Sequence, residues 1–166
     1  MFEEIGGLPA HPLLVHIPVV LIPLAAIGVI AIALRPKLML SYGWVVAGLA
    51  FVGFLGTLLA ANSGEAYEEK LEGTGQTISG TLEDHAEMGD SAQAFGAVFF
   101  ALVLAWVLFA WWRRRAGDDK VAAKVKQPKL IGIVFAVLSV VGGVAASVSV
   151  TLTGHSGAES VWETKN

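Results

Sequence analysis

The sequence predicts an all-α fold: a single four-transmembrane-helix bundle over residues 1–166. Three observations carry that prediction. Hydrophobic residues make up 55% of the chain and charged residues only 15%, against roughly a quarter charged in soluble domains. The apolar residues fall into four runs, each near the ~20 residues a spanning helix needs. The basic residues gather in the loops on one side of those runs. At 166 residues there is room for one bundle and little else.

The first span covers about residues 13–34, the second about 42–61, the third about 94–112 and the fourth about 130–153. None of these cores contains Asp, Glu, Lys or Arg. The N-terminus, Met-Phe-Glu-Glu, is acidic where a signal peptide is basic, so the first run is expected to stay as an anchor.

Orientation follows from Lys and Arg in the short loops. Arg35 and Lys37 lie between spans one and two. Arg113, Arg114, Arg115, Lys120, Lys124, Lys126 and Lys129 lie between spans three and four. That places nine of the 11 basic residues on one side, leaving Lys70 and Lys165 opposite. The opposite side also holds twelve of the 14 acids, all but Asp118 and Asp119. Both termini are therefore expected to be non-cytoplasmic, with Trp111 and Trp112 as a cytoplasmic interface belt. The expected location is the inner (cytoplasmic) membrane of a prokaryote, multi-pass.

The outer loop between spans two and three carries its own signals. Thr81-Leu-Glu-Asp84 resembles a capping box, so helix three is expected to start near Leu82. Helix two is expected to continue past Asn62 through Tyr67, with Gly73 and Gly75 marking the turn. Helices two and three would thus extend beyond the outer face. Small residues recur on helix two (Gly53, Gly56, Ala60, Gly64), helix three (Gly89, Ala92, Gly96) and helix four (Gly142, Gly143, Ala146). They read as close helix packing or as space cleared for a flat cofactor, and the two readings can coexist.

All four histidines map to the non-cytoplasmic end: His11 and His16 at the start of span one, His85 before span three, His155 after span four. Imidazole ligates haem iron, copper and zinc, so the four are candidate cofactor- and metal-binding residues. Residues five apart on a regular helix diverge by about 140°. His11 and His16 therefore cannot share one ion unless His11 precedes the helix, with Pro12 at its first position. On that footing His16, His85 and His155 are expected to matter most and His11 less. His85 shares a helix face with Met88, Gly89, Ala92 and Gly96.

The segment His11-Pro12-Leu13-Leu14-Val15-His16-Ile17-Pro18 resembles the His-Pro-Leu-x-Val-His-Phe-Pro opening of a widespread prokaryotic membrane family known as a domain of unknown function. His85 and Gly154-His155-Ser156-Gly157 match its further histidines, and Ile17 departs from its usual Phe. The resemblance covers essentially the whole chain. It implies a four-helix membrane bundle and, because some relatives carry fused Rieske-type or c-type cytochrome domains, electron-transfer company.

The leading functional expectation is a b-type haem electron carrier rather than a stand-alone enzyme, since two axial histidines on facing helices hold one haem. The alternatives are a copper or zinc site, with Glu65 and Glu87 joining the imidazoles, and a structural or assembly protein. The absence of cysteine excludes thiolate sites and covalent haem. The spans hold no ionisable midplane group, which argues against alternating-access transport. Ser63, Ser91 and Ser156 sit in no nucleophile motif. The expected partners are the lipid bilayer and an extracytoplasmic redox partner or quinol. Self-association into a homo-oligomer is left open, and nucleic acid is not expected, because topology accounts for the basic loop.

Overall fold

The structure, a computed structural model, describes residues 4–5, 8–73 and 80–163. A two-residue antiparallel pairing, β1 (Glu4–Ile5) with β2 (Leu8–Pro9), precedes the first helix. Everything else in regular structure is helical. The helices are α1 (Ala10–Leu14), α2 (His16–Leu34), α3 (Met39–Gly73), α4 (Gly80–Ala116), α5 (Asp118–Lys124) and α6 (Pro128–Glu163).

Four stretches are long and apolar enough to cross a membrane: Ala10–Leu34, Pro36–Ala66, Glu83–Ala116 and Pro128–Glu159. Their outward faces are those of a protein dissolved in lipid. Leu34, Ile27, Val141 and Ile133 are among many large aliphatic side chains left exposed, a pattern that a soluble surface does not carry over so large an area. The protein is a multi-pass membrane protein. At 1.5 Å per residue the 35 residues of α3 reach about 53 Å, well past a hydrocarbon core of about 30 Å.

Proline sets the first break. Pro18 has no N–H to offer the carbonyl four residues back, that of Leu14, and α1 ends at Leu14. A turn at Val15 then leads into α2, held by Val15 N to His11 O at 3.1 Å and Val19 N to Val15 O at 3.3 Å. Arg35 and a short 3₁₀ turn, Pro36–Leu38, join α2 to α3. The basic loop contains α5, which the sequence reading did not anticipate; Val121 anchors it, fully buried.

The spans form two hairpins, α1–α3 and α4–α6. They pack in a ring: α2 lies against α3 and α6, and α4 against α3 and α6. The core runs through Ile22, Ala25 and Val29 of α2, Val46 and Ala50 of α3, Phe99 and Val103 of α4, and Ala146 and Val150 of α6. Small residues serve this packing. A Cβ on Gly53 would meet Ile22 at 2.8 Å, one on Gly56 would meet Ile17 at 2.6 Å, and one on Gly143 would meet Phe99 at 2.9 Å. Their space is taken by neighbouring side chains, so at these positions the cofactor-space reading gives way to close packing. Gly89 differs: a Cβ there would meet nothing within 4 Å.

Helix α3 does continue past Asn62, as far as Gly73, and α4 begins at Gly80, two residues before the expected start. Gly75 and the Thr81 side chain, on which the turn and the cap were placed, lie outside the described residues.

Candidate functional site

Two of the four histidines come together. The His11 and His85 rings lie 5.9 Å apart, centre to centre, and nearly perpendicular at 86°. His11 is carried by α1, which Pro18 separates from α2, and it packs on α3. His85 is carried by the first turns of α4, one and two turns above Gly89 and the buried Ala92, and it packs on α6.

The protons on these rings follow from their partners. His11 Nδ1 is 2.9 Å from the Ala60 carbonyl, which can only accept, so Nδ1 donates. Ser63 Oγ donates its own proton to that carbonyl at 2.7 Å, which leaves its lone pairs toward His11 Nδ1 at 3.1 Å. The other histidine repeats the arrangement. Ser156 Oγ donates to the Thr153 carbonyl at 2.9 Å and therefore accepts from His85 Nδ1, also at 2.9 Å. Both neutral imidazoles are thus held with the proton on Nδ1 and the lone pair on Nε2, an assignment made from the hydrogen-bond network. A hydrogen bond of this kind contributes about 1 kcal/mol, enough to favour the tautomer roughly fivefold. An acceptor on Nδ1–H leaves Nε2 as the ring nitrogen with a lone pair to offer.

Glycine makes room for each ring. A Cβ on Gly64 would fall 3.3 Å from His11 Cε1, and one on Gly157 would fall 2.8 Å from His85 Cε1. Each hairpin therefore opens with a histidine and closes on a Ser-Gly dipeptide that receives it: His11 on Ser63-Gly64, His85 on Ser156-Gly157. The pair stands where the two hairpins meet. Thr153 Oγ1, 3.1 Å from the Met88 carbonyl, ties α6 to α4 beside it.

The other two histidines are engaged elsewhere. His16 is exposed and donates from Nδ1 to the Pro12 carbonyl at 2.6 Å. His155 is exposed, with Nε2 3.2 Å from Glu159 Oε1 one turn on. Of the two N-terminal histidines the structure thus brings His11, and not His16, against His85. The turn at Val15 lets it face α3, while His16, five residues on, faces out. Glu65 and Glu87 are exposed, and among the described residues no three His, Asp or Glu side chains converge on one ion.

Sequence reasoning missed Ala60, Ser63 and Ser156 as ring partners. The Ser-Gly dipeptide was a signal, but Ser79-Gly80 carries it as well, so it does not select the right positions without the helix pairing.

A family model described as a predicted membrane protein (DUF2231) matches residues 7–165. Neither a curated protein nor a solved structure matches the chain.

Proposed function

From a chain that belongs to the DUF2231 family of predicted membrane proteins, we propose a membrane-bound b-type haem electron-transfer protein with His11 and His85 as the axial pair. The observation that carries this reading is the meeting of two imidazoles from different hairpins, 5.9 Å apart, each with its hydrogen-bond partners at Nδ1. Two nitrogen–metal bonds of about 2 Å and two ring radii of roughly 1.2 Å put ring centres about 6 Å apart when two imidazoles share one ion.

The number of donors favours haem over a bare ion. Zinc takes four ligands, and copper sites are built from three or more protein donors. The pair offers two, which is what a haem iron with four equatorial nitrogens of its own requires. No described atom lies within 4 Å of where a Cβ on Gly89 would stand, one turn from His85 on α4, so a group held at His85 would not be blocked there. A haem held here would supply one-electron redox chemistry. The chain's own part would be to fix both lone pairs through Ser63, Ser156 and the Ala60 carbonyl.

The charge asymmetry supports a location of this pair at the outer face of a prokaryotic inner membrane, with both termini and the far ends of α3 and α4 outside. Exchange is then with an extracytoplasmic partner or a quinol in the outer leaflet. An impermeant thiol reagent should label cysteines placed at Gly73 and Glu159 from outside, and should reach one at Ala123 only after lysis. The opposite pattern would put the pair inside.

Optical spectra of the purified protein test the function. A Soret band and a sharp α band on reduction, characteristic of two nitrogen ligands, are expected at one haem per chain. No Soret absorbance even after haem supplementation would refute the reading, and stoichiometric copper or zinc by elemental analysis would replace it with the bare-ion alternative.

A further inference from the structure

At the end of the bundle opposite the histidine pair, the helices leave a cavity of about 770 Å³ walled by α2, α3, α4 and α6. Its volume falls within the ~300–1,000 Å³ of ligand-binding sites. Arg113, Arg114 and Lys129 stand at its rim, and Trp106, Gly132 and Val141 line it further in. Along α6 the lining runs from Lys129 to Val141, about 18 Å at 1.5 Å per residue. One leaflet of hydrocarbon is about 15 Å deep.

We propose that this cavity is a binding site for an anionic phospholipid, with the phosphate among Arg113, Arg114 and Lys129 and an acyl chain along α6 past Trp106 and Val141. The charge and the depth argue it together. The cavity begins at cations and continues as an apolar trough for the thickness of one leaflet, which is the shape of a lipid molecule. Basic pockets between transmembrane helices hold acidic headgroups in this way. A neutral quinone would bring no charge to the rim. A helix of a second copy would fill the trough without need of three cations. The neighbouring Arg115 is turned away, its guanidinium 4.5 Å over the Trp111 ring. The site is independent of the histidine pair.

Trp106 provides the readout. With Trp44, Trp111, Trp112 and Trp162 replaced by phenylalanine, the protein is placed in phosphatidylcholine vesicles containing a minor fraction of brominated phosphatidylglycerol or of brominated phosphatidylcholine. The anionic lipid is expected to quench Trp106 at a mole fraction lower by about fivefold for each cation engaged. Arg114→Gln with Lys129→Gln, both at exposed positions, should move its curve most of the way to that of the neutral lipid, leaving at most the roughly fivefold preference that Arg113 supplies. Gly132→Leu, whose Cβ has only Phe109 at 4.0 Å, should fill the trough and protect Trp106 from both lipids. Coincident curves in the protein with an unaltered cavity overturn the proposal. Relief of quenching by a neutral quinone at mole fractions where unbrominated phosphatidylglycerol gives none overturns it in favour of a quinone.

Discussion

If the proposed haem is held by His11 and His85, His11→Ala and His85→Ala are each expected to abolish its two-nitrogen spectrum, whereas His16→Ala and His155→Ala are expected to leave it unchanged. The asymmetry follows from position. The His11 and His85 rings meet 5.9 Å apart, each bonded at Nδ1, while His16 bonds the Pro12 carbonyl in the preceding turn and His155 meets Glu159 in the open. With only one of the two imidazoles left to hold it, a haem would be retained weakly, which is expected to appear as a broadened Soret band and loss of pigment on gel filtration. Ser63→Ala and Ser156→Ala act one step back. They leave the ligands in place and remove one acceptor from each Nδ1–H, with the Ala60 carbonyl still holding that of His11, so the expected loss lies at the low end of the about 10- to 100-fold that outer partners of this kind are worth. A merely structural pair behaves differently: its loss lowers thermal stability by the ~1–3 kcal/mol of unmade buried hydrogen bonds and moves no spectrum. Equal losses in all four histidine variants would sink the pairing of His11 with His85.

The bundle was legible because its signal is local. A run of about 20 apolar residues declares a span whatever surrounds it, and the structure puts spans on all four runs. The histidines were legible as a group at one end and illegible as a pair. Which of His11 and His16 turns inward depends on the break at Val15, where Pro18 costs Leu14 its partner. Pro18 was visible in the sequence; the direction of the resulting turn was not, because it is set by how α1 meets α3. Likewise Ser63 is unremarkable until α3 brings it beneath His11, and Ser156 until α6 meets α4. The small residues show the same limit. Gly56 and Gly89 look alike in sequence, yet Ile17 fills the space at one and nothing fills it at the other.

That difference makes Gly89→Leu the sharpest separation of a haem pair from a packing pair. Gly89 lies four residues after His85 and three before the buried Ala92, on the inward face of α4. Among the described residues a Cβ there meets no atom within 4 Å, so leucine enters without displacing any of them. Replacing a helix-interior glycine also improves helix propensity by about 0.8–1 kcal/mol. The protein without haem is therefore expected to melt no lower than the parent, and slightly higher if the new side chain is buried. A macrocycle seated on His85 extends beyond one helical turn of about 5.4 Å, into the space the leucine takes. Haem affinity is expected to fall by tenfold or more while the melting curve of the haem-free protein holds. Gly48→Leu is the control: Gly48 is exposed on α3 and has equally open surroundings, and haem titration there should match the parent. If Gly89→Leu binds haem as the parent does, with the same spectrum and stoichiometry, no macrocycle uses the space beside His85, and the two imidazoles hold the hairpins together without one.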